Sequence, residues 1–166
     1  MRRARGGNVV LEVAMWLPIF FLLLTGIIQF GKITYIYYTL SKTVNTVAAY
    51  LATQNGVNFC NGAGDPIVTS AINFALTGAS DGSGTPAIFD LTADMIGVTT
   101  QCIDPATGTP GTCDTSGCGL PSGGQRPDLI VVSIPNGYIV QPRIPYILLD
   151  PIPLKPQSIM PNVGGS

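Results

Sequence analysis

One long apolar segment dominates the pattern of hydrophobic and polar positions near the start of the chain. Residues 13–31 contain no charged residue and read VAMWLPIFFLLLTGIIQFG. As a helix this run is about 28 Å long, close to the roughly 30 Å thickness of a hydrocarbon core. The pattern therefore predicts a membrane-spanning helix.

The helical pattern continues beyond that run. Between Lys32 and Gln54 there is no proline or glycine, and apolar residues recur at steps of three and four: Ile33, Ile36, Tyr37, Leu40, Val44, Val47, Ala48 and Leu51. The spacing predicts one helix over residues 8–54, about 70 Å long and longer than a bilayer requires. The surplus should pack on protein.

The remaining chain, residues 55–166, is rich in glycine and proline and predicts a small, loop-rich β domain. Asp65-Pro66 should cap a short helix over IVTSAINFAL. We expect its buried face to contain Ile67, Ala71, Phe74 and Ala75.

Strands are predicted over 95–103 and 129–134, where apolar or β-branched residues are frequent. The segment between these strands should be irregular, and the proline-rich tail over 135–161 should form edge strands and turns. The expected fold class is α+β, with one long helix, one short helix and three or four antiparallel strands.

Composition excludes several classes of function. The chain has 8 Lys+Arg against 9 Asp+Glu, only 10% charged residues, 46% hydrophobic residues and no histidine. The lack of histidine removes the commonest general base and metal ligand. The weak net charge of −1 disfavours nucleic acid as a partner. We expect no catalytic residue, no cofactor and no resident metal, and hence not an enzyme.

The basic residues are placed so as to orient the helix in a membrane. Arg2, Arg3 and Arg5 precede the apolar run, which predicts a cytoplasmic N-terminus and an outer C-terminal domain. A cleaved secretory signal is the alternative, but its apolar core would be shorter and would end at small residues. The tyrosines that follow the run should lie at the outer membrane interface, namely Tyr35, Tyr37 and Tyr38.

Four cysteines, Cys60, Cys102, Cys113 and Cys118, all lie in the predicted outer domain. An even count in an oxidising compartment favours two disulfides, with three possible pairings. Our hypothesis pairs Cys102 with Cys113 and Cys60 with Cys118. A zinc site is disfavoured because the spacing lacks paired CxxC elements.

Three aspartates in loops could supply oxygen ligands to Ca²⁺: Asp81, Asp104 and Asp114. None has EF-hand spacing, and short Asp-Gly loops are usually turns.

A carboxylate stands at the edge of the apolar run. Glu12 is the fifth residue after Gly7, which itself follows the arginines. This arrangement resembles the leader of type IV prepilins. The wider segment, over about residues 2–50, resembles the TadE-like family of pilin-like proteins at Arg5-Gly6, Glu12, Ala14, Leu17-Pro18, Gly26 and Phe30-Gly31.

The resemblance implies a basic leader of residues 1–7, cut between Gly7 and Asn8 by a prepilin peptidase. It also implies that Glu12 meets the new N-terminal amine of a neighbouring subunit. Pro18 would be tolerated where neighbours cover the freed carbonyl, and Gly26 and Gly31 would allow close approach of helices.

The expected function is a structural subunit, a major or minor pilin that assembles with itself or other pilins into an extracellular filament. The precursor would lie in the bacterial inner membrane, with an assembly platform and a secretion ATPase as further partners. The alternative is an unprocessed bitopic membrane protein with an outer scaffold or adhesion domain.

Overall fold

The long helix α1, Gly6–Thr53, is the organising element of the fold. The computed structural model describes residues 6–59, 64–113, 126–143 and 149–163, with side chains from Val9 onward. The observed helix differs from the predicted range, 8–54, by two residues at one end and one at the other. Pro18 lies inside it. Among the described residues, α1 is the helix long and apolar enough to cross a membrane.

Threonines along α1 bond to the helix itself. Each donates its hydroxyl hydrogen to a carbonyl oxygen three or four residues earlier, at 2.8–3.4 Å; they are Thr25, Thr34, Thr39, Thr43, Thr46 and Thr53. Such bonds satisfy the hydroxyls locally.

The short helix α2, Pro66–Thr77, begins where the sequence predicts it. Asp65 is its N-cap, and Asp65 Oδ1 accepts hydrogen bonds from the amides of Ile67 at 2.8 Å and Val68 at 3.3 Å. Gly78, in the left-handed conformation, ends the helix.

The prediction of which face of α2 is buried is wrong by part of a helical turn. The buried residues are Val68, Ala71, Ile72 and Leu76. Of the expected set only Ala71 is fully buried, and Phe74 is exposed. The helix is apolar on several sides, so its own sequence does not determine which side meets α1.

Four strands form an antiparallel sheet in the order β2-β1-β3-β6. They are β1 Gly97–Ile103, β2 Pro110–Thr112, β3 Leu129–Ser133 and β6 Gln157–Pro161. A second, two-stranded sheet pairs β4 Tyr138–Val140 with β5 Ile152–Leu154. Both predicted strands are found, although the first begins later because residues Ala93–Met95 form a 3-10 turn.

Two expectations for the β region need correction. The segment after β1 is not wholly irregular, because Pro110–Thr112 returns as β2 and pairs with Gln101, Cys102 and Ile103. The described residues contain six strands rather than three or four. The proline-rich tail does supply an edge strand, β6, as expected.

The hydrophobic core is shared between α1 and residues 55–166, for which we keep the name outer domain from the predicted topology. Its buried residues come from the C-terminal half of α1, such as Leu40, Val44 and Leu51, and from α2 and β3. The amide of Val163, after β6, donates to the carbonyl of Ala52 at 2.9 Å. The outer domain is therefore built around the end of α1 and holds it on one side.

Candidate functional site

The N-terminal half of α1 presents an apolar surface on all sides. Large apolar side chains between Val9 and Phe30 are 42–75% exposed, and none of the most apolar window of the helix is buried. An exposed apolar area of this extent requires lipid or protein against it. We call residues 9–31 the free half of α1, and this half is the candidate site.

Glu12 is the acidic residue of the free half. Its side chain is exposed on the face that carries Val9, Val13 and Trp16. Within the described residues it makes no hydrogen bond or ion pair. A carboxylate on an apolar helix is costly without a partner, so the charge must be met by headgroups or by another chain.

Three residues of low helix propensity lie in the same half, Pro18, Gly26 and Gly31. Pro18 is inside the helix, where it removes one backbone donor. A side-chain carbon built at Gly26 or Gly31 would meet no atom within 4 Å. Contacts within the described protomer therefore do not require glycine at either position, and both leave room for a close neighbour.

The predicted processing residues, Gly7 and Asn8, lie in the first turn of α1, and only their backbone is described. The arginines of the leader lie outside the described residues. The structure thus brings Glu12, Pro18, Gly26 and Gly31 onto one continuous helix but does not test their roles.

The disulfide hypothesis is confirmed for one pair. Cys102 and Cys113 are bonded, with their Cα atoms 4.8 Å apart. The bond joins the end of β1 to the residue after β2, and so closes the hairpin. Cys60 and Cys118 lie outside the described residues, and their pairing stays a prediction.

Asp81 and Asp104 organise tight turns. Asp81 Oδ1 accepts from the amide and hydroxyl of Ser83, and the Asp104 carboxylate accepts from the amide of Ala106 and the hydroxyl of Thr107. These hydrogen bonds favour the charged carboxylate and lower the pKa of each aspartate. Asp114 lies outside the described residues, and the described ones contain no cluster of three potential metal ligands.

One contact of the free half was not foreseen from the sequence. Gln29 Nε2 donates a hydrogen bond to the carbonyl oxygen of Arg143 at 2.9 Å. The outer domain thus reaches down to the end of the apolar run. A strongly polar amide in a run of this kind was the available signal, since such a group normally has a partner.

Comparison with known proteins gives a match that lies within the long helix. No curated protein and no solved structure matches the chain. A family model described as TadE-like protein matches residues 7–49. The match confirms the resemblance over this segment, and the family's description suggests an association with a Tad pilus. Residues 7–49, which carry Glu12, Pro18, Gly26 and Gly31, are the part of the chain that is similar to this family.

Proposed function

We propose that this chain is a pilin-like structural subunit that assembles through α1 into an extracellular filament. The observation that carries the proposal is the free half of α1, which is apolar on all sides and has Glu12 five residues after Gly7. A helix of this kind can be stored in lipid and later buried among copies of itself. The role is structural rather than catalytic.

The precursor is oriented by its leader. Arg2, Arg3 and Arg5 hold the N-terminus in the cytoplasm, because basic residues favour that side of the inner membrane. The outer domain is then exported. A prepilin peptidase cuts after Gly7 and leaves Asn8 as the new N-terminus.

Assembly replaces lipid around the free half with neighbouring helices. The ammonium group of Asn8 in one subunit pairs with Glu12 of another, and each charge offsets the desolvation of the other. Gly26 and Gly31 allow the helices to pack closely. Neighbouring helices also cover the carbonyl left without a donor by Pro18.

The outer domain coats the filament in this arrangement. It is tied to α1 through the shared core, so it follows the helix out of the membrane as one body. The further partners are an inner-membrane assembly platform and a secretion ATPase. The subunit takes part as a major or a minor pilin.

The Glu12→Ala variant tests the proposal. Membrane insertion should persist, because removing a charge makes the apolar segment a better span. Filaments should be lost, since an unpaired ammonium in apolar surroundings costs about 3–5 kcal/mol per subunit. The measurements are membrane fractionation and recovery of sheared surface filaments. Asp94→Ala, which removes an exposed carboxylate of the outer domain, is the matched control and should assemble normally.

The N-terminus of the membrane-extracted protein separates the two candidate functions. A start at Asn8 supports the pilin-like subunit, and Gly7→Val should then block processing while Gly6→Val does not. A start at Met1, together with no recovery of the chain in sheared surface filaments, would favour the unprocessed bitopic protein with an outer scaffold or adhesion domain.

A further inference from the structure

A cleft opens along α1 just past the free half, between the helix and the residues in and after α2. Its volume is about 380 Å³, within the range of pockets that hold a ligand. Side chains of α1 and two alanines line it, chiefly Tyr35, Tyr38, Lys42, Thr46, Ala75 and Ala87. Both tyrosines are more than half exposed, so their rings are accessible to a partner.

Lys42 is the charged residue among those that line the cleft. Its side chain is exposed, and within the described part of the chain it forms no ion pair. The threonines of the cleft, Thr39, Thr43 and Thr46, donate their hydroxyl hydrogens to carbonyl oxygens of their own helix. The cleft therefore offers aromatic rings, small alanine side chains and one cation. This combination suits an apolar group with a negative charge beside it.

The height of the cleft limits what can fill it. If residues 13–31 fill the hydrocarbon core, the cleft begins about 6 Å beyond its edge at Tyr35 and reaches about 22 Å at Thr46, at 1.5 Å per residue. The headgroup layer of each leaflet is only about 5–8 Å thick. Most of the cleft thus lies beyond the lipid.

A group with the complementary chemistry stands out from the same chain. The Phe89 side chain is 83% exposed, although the nearby residues Ile88 and Leu91 are buried. Asp90 follows it and is also exposed. We call Phe89 and Asp90 the projection, because together they present an aromatic ring with a carboxylate beside it.

The backbone of the projection is held in place. The hydroxyl of Tyr138 donates a hydrogen bond to the carbonyl oxygen of Phe89 at 2.7 Å. Asp90 has a φ of 60°, a left-handed conformation that is uncommon for residues other than glycine, asparagine and aspartate. An exposed aromatic on a fixed backbone loses little conformational freedom on binding, and aromatic anchors of this kind dominate the energetics of many interfaces.

The projection lies beside the cleft of its own copy without entering it. Ala87 lines the cleft, and Phe89 is two residues further along, so their Cα atoms are at most about 7 Å apart. The Phe89 ring nevertheless stays exposed. In two copies that stand side by side with parallel α1 helices, the projection of one is therefore at a similar height to the cleft of the other.

We propose that the projection of one copy binds in the cleft of a second copy, with Phe89 against the tyrosine rings and Asp90 facing Lys42. The proposal deepens the proposed function and rests on it for the parallel arrangement of copies. A second copy is the occupant because the cleft continues the helix surface that the free half presents to its neighbours, and because the same chain supplies the complementary charge. A contact between two different patches can be repeated from copy to copy, as a filament requires.

Photo-crosslinking from position 89 tests the contact. The full chain with Phe89→p-benzoylphenylalanine would be reconstituted into phosphatidylcholine vesicles, with isotope-labelled and unlabelled copies mixed, and then irradiated. We expect a crosslinked dimer in which trypsin digestion places the attachment on residues 33–42 of the other copy. The matched control is Ile159→p-benzoylphenylalanine, at an exposed position of β6, which should give no attachment to residues 33–42. Attachment confined to lipid or to the same copy would overturn the proposal.

Charge variants of the crosslinking chain test the position of Asp90. Lys42→Glu should lower the dimer yield at least about threefold, because two carboxylates would then face each other. Adding Asp90→Asn should restore most of the yield, since asparagine removes the repulsion and tolerates the left-handed backbone. Adding Asp94→Asn instead, at another exposed carboxylate, should restore none. A dimer yield unaffected by Lys42→Glu would contradict the proposed pairing.

Sheared filaments separate this inference from the proposed function. If the crosslinking chain forms filaments but never attaches to residues 33–42 of another copy, the inference is wrong and the proposed function stands. If the attachment forms in vesicles but no filaments are recovered from the unaltered chain, the inference stands and the filament role is wrong. If neither is observed, both are wrong.

Discussion

The two halves of α1 belong to one uninterrupted helix but have opposite surroundings. In the free half the apolar side chains are exposed on every side. In the C-terminal half, residues 32–53, one apolar stripe is buried against α2 and the sheet. Beside the stripe are polar residues: Lys42 is exposed, and Asn45 accepts a hydrogen bond from Ser158 of β6. The free half is also the more apolar of the two, because its run over residues 13–31 contains no charged residue, whereas the C-terminal half includes Lys32 and Lys42. A polar face is present only in the C-terminal half.

The comparison shows how one helix can belong to two environments. A helix with a polar face can bury only its apolar stripe, and in the C-terminal half the outer domain already covers that stripe. A helix without a polar face has no preferred side and can exchange lipid for protein around its whole circumference. Storage in a membrane and later assembly require a helix without a polar face. A stable fold requires a helix that has one.

The largest expected difference in stability is between two variants that each truncate one leucine, one in each half of α1. Leu40→Ala should reduce the free energy of unfolding of the outer domain by about 2–5 kcal/mol, because Leu40 is fully buried in the core. Leu23→Ala, at a 61% exposed position of the free half, should change it by less than about 0.5 kcal/mol. Urea unfolding of the detergent-solubilised protein, followed by near-UV circular dichroism, would measure both.

Filament yield should give additional information about the second variant. Leu23→Ala removes area that only lipid or neighbouring helices can cover, so it should weaken assembly without weakening the fold. Similar unfolding losses in both variants would contradict the division of α1 into two halves.

The disulfide should matter next, and only for the outer domain. Replacing Cys102 and Cys113 together by serine should lower the free energy of unfolding by about 2–4 kcal/mol, because the unfolded chain gains conformational freedom. Urea unfolding would measure this loss, and far-UV circular dichroism should show the helix content of α1 unchanged. An unaltered unfolding midpoint would mean that the disulfide adds little to the stability of the domain.

Asp65→Ala tests how α2 is fixed against the C-terminal half of α1. Asp65 caps α2, and its Oδ2 also accepts from the amide of Asn58 at 3.1 Å. Loss of a cap of this kind costs about 0.5–2 kcal/mol. Asp65→Asn keeps an acceptor oxygen and should lose less, which thermal unfolding can measure. Equal losses would indicate that the negative charge, rather than the acceptor, is required.

The smallest effect is expected at Tyr138. Its hydroxyl bonds to Phe89, so Tyr138→Phe should cost about 1 kcal/mol of outer-domain stability. Burial, and secondly the Asp90 carboxylate, raise the pKa of Tyr138. The neutral form is thus favoured in the folded state, and its contribution should be lost as pH rises past the ordinary value of 10.0. Unfolding midpoints of the two proteins should therefore converge at alkaline pH, and a constant gap would contradict this assignment.

The sequence was most informative where local signals are strong. The long apolar periodicity predicts α1 to within two residues at either end, and Asp65-Pro66 predicts the start of α2 because capping is a local interaction. The Cys102–Cys113 pair was also predicted. These features depend on neighbours in the chain or on simple periodicity.

Features that depend on distant contacts were missed. The buried face of α2 depends on how it meets α1, and several of its faces are apolar. The strand β2 has a Pro-Gly-Thr sequence typical of a turn and exists because β1 lies beside it. The Gln29–Arg143 contact joins residues 114 positions apart, which no local pattern indicates.

The threonines of α1 affect how easily the helix can be transferred between lipid and packed protein. A hydroxyl that relied on water or headgroups would lose its partner when the surroundings became lipid or packed protein. Thr25 donates to Phe21 and Thr34 donates to Phe30 within the same helix. These hydroxyls keep their bonds in any medium, so the transfer free energy of the helix depends mainly on its apolar area and on Glu12.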